Sequence, residues 1–577
     1  MTIVIMDNHL VVLYGSQTGN AEDLAKRIGR QAKSYGLSVL VETMDDFPLK
    51  KLPSQKLVLF VCSTTGHGQE PENMKNFYNF IRRRDLPSQC LSKLSFAVFG
   101  MGDSSYERFN YVSKILFKRL KECGATPFLD LALGDEQHRY GCDGGIYPKL
   151  IELWDKLGIT QPEGDIQQLA QINLYSLKTD RSTEAKNFFK QEYEERYKLR
   201  IATCIINKRL TDEKHFQDTR FLAFKTCQTV DYEPGDVCTI LPSNLDDNVD
   251  TFMKLLNLQP NIRVSIQKQD PNFMVNYLYD FIPDGITLRE LVKNYLDIQS
   301  IPRRSFFEHL WTLSDNDLER DKLKEFASTE GQEDVYDYCT RPKRSILEVI
   351  LDFQSVAKNI KPESLLDLIP PIKPRSFSIA SSSREHPNEI HLVVGRVEYK
   401  TLLKKPRRGL CSNYLANLVP MKDTIRFFIG KTSFKLPKNI STPIIMVGPG
   451  LGIAPFRSFI EERRIQKTTS ELNHLYFGCR FKNSDFYFQD ELELYSKSNL
   501  IRLRVAFSRE EPKQYVQDLL KEDSNLIQTL IEQKDAILYV AGNSRLPGDL
   551  RSYLSGLLTD HRVNLLESQG RIQYDCW

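Results

Sequence analysis

The feature that most constrains this chain is a rhythm found at both of its ends. Short apolar runs alternate with amphipathic stretches, and the runs close on turns rich in glycine and hydroxyl side chains. A βα alternation of this kind demands a parallel sheet covered by helices on both faces, because parallel neighbours can be joined only through a crossover. Over residues 1–157 it predicts strands at Leu10–Tyr14, Ser38–Val41, Leu57–Cys62, Phe96–Phe99 and Phe128–Leu131, with helices over Ala21–Tyr35, Glu72–Arg84, Val112–Cys123 and Ile146–Leu157. Over 436–577 it predicts a second doubly wound sheet, with strands at Ile444–Val447, Leu475–Phe477, Arg504–Phe507 and Ile537–Val540. The middle differs. From about residue 195, RIATCIINKRL, FLAFKTCQTV and the turn Tyr232-Glu233-Pro234-Gly235-Asp236 read as antiparallel barrel strands joined by tight turns. Residues 245–370 read as mostly helical, as in TLRELVKNYL and RSILEVILDF, which makes them an insertion in a barrel spanning 195–435. The polar, Gln/Glu/Lys-rich stretch 158–194 reads as a linker. The expected fold class is a multidomain α/β chain.

Composition narrows the function classes. No stretch approaches the roughly 20 apolar residues that cross a bilayer, and the N-terminal MTIVIMDNHLVVLYG lacks a basic leader. A soluble, cytoplasmic protein without a membrane anchor is expected. The formal charge of +3 is small for 577 residues. The basic runs Arg82-Arg83-Arg84 and Lys404-Lys405-Pro406-Arg407-Arg408 are short, so solvated loops are expected and nucleic acid is not. Eleven cysteines with no C-x-x-C pair offer neither a disulfide framework nor a zinc set, and no metal is expected.

After the first strand, Ser16-Gln17-Thr18-Gly19-Asn20-Ala21 opens a helix. Free amides at the positive end of a helix cradle a phosphate. No lysine follows, as a triphosphate loop requires, so a monophosphate is favoured over nucleotide hydrolysis. Two later strand ends supply Ser63-Thr64-Thr65-Gly66 and the loop that holds Met101, Gly102, Asp103, Tyr106, Phe109 and Asn110. Doubly wound sheets bind ligands at such carboxyl ends. The glycines let backbone approach a planar ring, and Tyr106 offers a face for stacking. Together these residues resemble the flavodoxin-like FMN domain of diflavin reductases. The resemblance implies that all three loops bind FMN, with Asp135 as the ribityl-side acid. Cytochrome P450 reductases carry an aromatic where Thr65 stands, whereas the cytosolic NADPH-dependent diflavin oxidoreductases carry threonine, which leaves Tyr106 alone over the ring.

In the middle of the chain, Arg375-Ser376-Phe377-Ser378 puts cation and aromatic on one face of a strand and two hydroxyls on the other. Gly409-Leu410-Cys411-Ser412 then opens a helix whose amides can face a pyrophosphate opposite the arginine. This resembles the ferredoxin-reductase-type FAD barrel. By that resemblance Arg375 neutralises phosphate, Phe377 packs on the isoalloxazine, Ser378 approaches its N5 and Tyr399 stacks on adenine. Arg344 is a further FAD candidate, with a surface cap as the alternative.

Near the C-terminus, Gly450-Leu451-Gly452 ends a strand and opens a helix, permitting close approach of a pyrophosphate. Ser508-Arg509 and Lys513-Gln514-Tyr515-Val516-Gln517 follow a later strand. Two cations and two hydroxyls suit a ribose 2′-phosphate, whereas selection of NAD would use a carboxylate, so NADPH is expected. Asp549 lies on the helix after Ala541-Gly542-Asn543, where P450 reductases carry cysteine and aspartate in place of Ala541 and Asn543. Leu451 stands where threonine is usual. The closing Tyr574-Asp575-Cys576-Trp577 resembles the family's terminal acid-x-aromatic, which implies Trp577 over FAD and Asp575 near Ser378, the catalytic serine.

The resemblance covers essentially the whole chain. It implies electron flow from NADPH to FAD, to FMN and on to a one-electron acceptor, with anamorsin, an iron-sulfur protein of cytosolic iron-sulfur assembly, as the expected partner. PRRSFFEHLW at residues 302–311 also resembles that family. Two alternatives stay open: service to sulfite reductase, methionine synthase or a cytochrome, and a scaffold without turnover, suggested by Leu451, Ala541 and Asn543.

Overall fold

The computed structural model describes residues 9–65, 68–106, 108–159, 175–179, 198–270, 279, 282–328 and 330–576. The chain divides into two compact units, 1–190 with 244–373 and 401–404, and 191–243 with 374–400 and 405–577.

The first unit is built on a parallel sheet of β1 (His9–Gly15), β2 (Ser38–Thr43), β3 (Leu57–Ser63), β4 (Ser95–Gly102), β5 (Thr126–Pro127) and β6 (Ala132–Asp135), in the order β2-β1-β3-β4-β5 with β6 also paired to β4. Every residue of β3 is buried, as is β1 after His9, which is what two helical layers impose on a parallel strand. The helices are α1 (Asn20–Ser34), α2 (Lys75–Ile81), α3 (Tyr111–Glu122) and α4 (Asp143–Lys156). The order reverses at β1 and β3, so the loops that follow these strands diverge and leave a crevice.

One strand departs from expectation. The apolar run Phe128–Leu131 is not a strand but the gap between β5 and β6. The ladder to β4 stops at Phe96↔Pro127 and resumes at Phe99↔Ala132. Ala97 and Val98 on β4 therefore face the four residues 128–131, and the surplus cannot stay in register. Within the stretch read as a linker, Tyr175–Thr179 forms β7, paired antiparallel to β11 (Arg263–Lys268), whose other neighbour is β12 (Ile286–Thr287).

The helical insertion carries helices at Asp246–Leu255, Leu288–Asn294, Arg304–Leu310, Asp317–Ala327 and Ile346–Asp352. Reciprocal caps start two of them, Thr287 with Glu290 and Ser345 with Glu348, each satisfying two otherwise orphaned donors. The helix Arg304–Leu310 lies along α1. Arg27 pairs with Glu308 at 3.1 Å, Arg30 donates to His309 at 2.9 Å and Ser305 donates to Asp23 at 2.6 Å.

The second unit joins two sheets. Six strands run antiparallel in the order β13 (Arg375–Ser378), β10 (Val237–Leu241), β17 (Thr424–Gly430), β8 (Arg200–Arg209), β9 (Thr219–Lys225) and β14 (Glu389–Gly395). The barrel expected from the sequence is a sheet whose two edge strands touch through one bridge, Ile379↔Leu392. A hairpin of β15 (Glu398–Tyr399) and β16 (Arg407–Arg408) lies apart from it. The other sheet is parallel, in the order β20 (Arg502–Phe507), β19 (Asn473–Cys479), β18 (Ile444–Pro449), β21 (Ile537–Gly542) and β22 (Ile572–Cys576).

The sequence reading missed β22, a short strand with intermediate exposure beyond Ile572 that looks like a tail until it is paired with β21. The helix Ile453–Ile465 ties the two sheets together. Its Arg457 donates to the Ala380 carbonyl at 2.7 Å, and its Glu461 accepts from the Ser382 amide at 2.7 Å.

Candidate functional site

The first loop runs from the end of β1 into the start of α1. Gly19 caps α1 with φ of +100°, a conformation that costs side-chain-bearing residues dearly. The Gly19 amide donates to Ser16 Oγ at 3.0 Å, and the Ser16 amide to Asn73 Oδ1 at 2.8 Å. Gln17 Oε1 accepts from the Glu72 amide. Ala21 is fully buried, and Thr18 is exposed on the rim.

The second loop places Thr65 in a small hairpin, bridged to Gln69. Thr64 Oγ1 accepts from the Val112 amide. Ser63 Oγ is buried with no partner among the described residues, an orphaned group that a ligand hydroxyl or phosphate fits. Gly66 lies outside the described residues.

In the third loop the reason for the glycines differs from the one expected. A Cβ on Gly102 would stand 2.8 Å from the Asn110 side chain, and one on Gly100 would stand 2.3 Å from Ser113 Oγ. The glycines admit α3 against β4. Asn110 is itself fully buried, with its Nδ2 donating to the Gly134 carbonyl at 2.9 Å, so its side chain joins β4, α3 and β6. Met101 is buried, Phe109 is half-buried under Lys114, and Tyr106 is 36% exposed, free to offer a ring face. Asp135 accepts from the amides of Ser104 and Gln137 at 2.9 and 3.0 Å. Burial works to raise its carboxyl, but hydrogen bonds from the Ser104 side chain foremost, and then from these amides, hold it below the usual value. Asp103 accepts from the Ser105 amide, which closes the turn.

Sequence reasoning missed one residue here. Arg303, from the insertion, donates through Nη2 to the Thr18 carbonyl and through Nε to Asn20 Oδ1, both at 3.1 Å. The two chain positions are 283 apart, so no local motif could have shown the contact.

In the second unit, Ser376 shares a hydrogen bond with Thr239 at 2.9 Å, Phe377 packs against the core of the antiparallel sheet, and Arg375 is exposed. Cys411 is buried in the same core, and burial pushes its thiol up to about 12 against the pull of Arg375. Ser412 Oγ accepts from the Val397 amide at 3.0 Å, close to Gly409. Tyr399 is 46% exposed on its hairpin, which suits a stacking ring.

Arg344 belongs to the first unit. It lies 4.2 Å over the Tyr338 ring and pairs with Asp352.

Ser378 Oγ donates to Asp575 Oδ2 at 2.7 Å, the pair anticipated from the chain's last residues. Pairing of β22 with β21 brings Asp575 there. Burial pushes the Asp575 carboxyl up, and the Ser378 hydrogen bond partly offsets this. Trp577 lies outside the described residues.

Gly450 has φ of +58°, and a Cβ on Gly452 would stand 2.1 Å from the Ala541 carbonyl oxygen, so neither glycine is replaceable without a shift. The Leu451 side chain turns into the apolar cluster of Ala380, Val393 and Ala454, and is therefore a packing residue. Asn543 Oδ1 accepts from the amides of Arg545 and Leu546, which starts the helix Leu546–Leu558.

Arg509, Lys513 and Tyr515 converge. Side-chain hydrogen bonds from Lys513 and then Arg509 hold the Tyr515 phenol below its usual value, and Lys513 Nζ lies 5.3 Å from the ring. Ser508 continues the strand end, its amide donating to the Cys479 carbonyl at 2.9 Å. Gln517 Nε2 donates to Asp549 at 3.2 Å. Gln514 Nε2 donates to Glu522 at 2.8 Å, and the Val516 side chain is buried. The exposed cations and phenol fit a phosphate monoester.

One set of metal-competent side chains occurs among the described residues, His386, Glu389 and His391. Arg457 stands 3.4 Å from His391 Nδ1. Burial foremost, with Arg457 adding to it, holds that imidazole down to about 4. The set is part of the Arg457 network described above.

Three family models match the chain, described as Flavodoxin over residues 12–143, FAD binding domain over 194–414 and Oxidoreductase NAD-binding domain over 446–551. The chain is 41% identical to NADPH-dependent diflavin oxidoreductase 1 of Xenopus laevis, over 99% of each chain. It is 36% identical to the protein of that name from Schizosaccharomyces pombe, over 99% of this chain and 100% of the relative. It is 35% identical to that from Arabidopsis thaliana, over 98% and 99%.

Proposed function

The chain belongs to the NADPH-dependent diflavin oxidoreductases, and from that premise we propose that it carries electrons from NADPH through FAD and FMN to an anamorsin-type iron-sulfur protein in cytoplasmic iron-sulfur assembly. Bound flavins supply the change from two-electron to one-electron chemistry, and the residues of this chain position them. Arg509, Lys513 and Tyr515 draw in the 2′-phosphate, and the Gly450–Gly452 turn admits the pyrophosphate. Ser378 and Asp575 hold a proton between Oγ and Oδ2 beside the flavin position. Arg375 and the residues from Gly409 to Ser412 serve the FAD pyrophosphate. Ser16 to Ala21, Ser63 to Gly66 and the loop from Met101 to Asn110 serve FMN.

The observation that carries the acceptor is charge balance. Residues 1–157 hold 20 Lys/Arg and 18 Asp/Glu, whereas docking of a basic cytochrome calls for a strongly acidic face. Among the described residues, no helix is long and apolar enough to cross a membrane, so none points to a membrane-embedded partner. The test is anaerobic reduction of a purified anamorsin-type protein by catalytic amounts of this enzyme and NADPH. Reduction with NADPH and poor reduction with NADH are expected. Rapid reduction of an artificial acceptor with none of the iron-sulfur protein would reject the partner and keep the chemistry.

A further inference from the structure

We propose that Arg303 is a positioning residue for the FMN phosphate, lent by the helical insertion to a loop that has no cation of its own. Its guanidinium grips both sides of Gly19, through the Thr18 carbonyl and Asn20 Oδ1. A Cβ on Gly19 would stand 3.1 Å from Arg303 Nη2. Asn20 is thereby oriented, because its Nδ2 donates in turn to Glu136 at 2.6 Å. Among the described residues, no other lysine or arginine side chain hydrogen-bonds to residues 16–21, and Arg303 has no carboxylate partner. The nearby acids are engaged elsewhere. Glu22 pairs with Lys26 and Lys373 at 2.6 and 3.0 Å, Asp23 accepts from Ser305, and Asp135 accepts from two amides. Among the described residues Arg303 thus makes no ion pair, and its hydrogen bonds go to the loop itself.

The loop amides and the α1 dipole already favour an anion. A fixed guanidinium at the rim adds attraction that a dianion feels and a neutral group does not. The Arg27–Glu308 pair, both residues 4% exposed, anchors the segment that carries Arg303. Retention of FMN is therefore coupled to docking of the insertion on α1.

The experiment uses the full-length protein stripped of FMN, titrated separately with FMN and with riboflavin, which lacks the phosphate, and read by flavin fluorescence. Arg303→Gln is expected to weaken FMN by about 10-fold or more, to leave riboflavin within about twofold, and to make FMN binding less sensitive to salt. Arg303→Lys, which keeps the charge and loses the fork, should fall between wild type and the glutamine variant. An unchanged FMN affinity in Arg303→Gln would overturn the proposal. So would an equal loss for both flavins, which would mark Arg303 as a structural brace. If the glutamine variant does not fold, wild type and Arg303→Lys decide the matter. An FMN-to-riboflavin affinity ratio that is the same in both, and insensitive to salt, would reject the role.

Discussion

At the scale of single residues, the chemistry concentrates in Ser378 and Asp575, joined at 2.7 Å. Burial raises the Asp575 carboxyl, so it takes up its proton at a higher pH than an exposed aspartate does. Reduction of FAD by NADPH should therefore lose rate on the acid side from above the usual carboxylate range. Asp575→Asn should flatten that limb and slow reduction by up to about 100-fold, as rapid-mixing absorbance at several pH values would show. The phosphate loop, the Gly450–Gly452 turn and the Arg509–Lys513–Tyr515 cluster were legible in the sequence because each is local. Arg303 was not, because its partners Asn20 and Thr18 lie 283 and 285 positions away. The departures at Leu451 and Asn543, which suggested a scaffold without turnover, have physical explanations: one fills an apolar cluster and the other accepts from two amides in the turn before a helix.

At the scale of elements, the sequence conveyed the kind of strands better than their number or register. Apolar runs identified β1, β3, β4 and β18 within a few residues, since burial on both faces imprints composition. Phe128–Leu131 has the same composition, yet it falls outside the ladder because four residues face two. That count depends on the neighbouring strand and cannot be read from the run itself. The helix Ile453–Ile465 shows the energetics of such placement. Arg457 pairs with Glu461 at 2.7 Å, and Glu461 is 1% exposed. Arg457→Met should destabilise the second unit by about 3–5 kcal/mol, because it takes the arginine from a buried carboxylate that keeps only the Ser382 amide and His386 beside it. Chemical denaturation measures this, and adding Glu461→Gln should cost less than the sum of the two single changes.

At the scale of the whole molecule, the insertion belongs to the same compact unit as the first sheet, although the chain between them passes through strands of the other. Acid should reveal this union. Burial opposes ionisation of Glu22, but Lys26 and Lys373 hold its carboxyl down to about 2 from an ordinary 4.5. A depressed acid stabilises fully above its unfolded pKa and loses that contribution as pH falls through the folded one, so the window is about pH 4.5 to 2. The contribution is on the order of 3 kcal/mol. Glu22→Gln should lower stability at neutral pH and flatten its decline across that window, as melting curves collected over the range would show. A variant whose acid decline matched wild type would mean that Glu22 does not carry the effect.

The placement of β22 has a practical side. It is at once the outer strand of its sheet and the carrier of Asp575. A purification handle fused after Trp577 begins three positions from that aspartate, where it can throttle turnover while leaving colour and solubility intact. Kinetic comparisons between preparations of this enzyme are sound only when the handle is at the opposite terminus or has been removed.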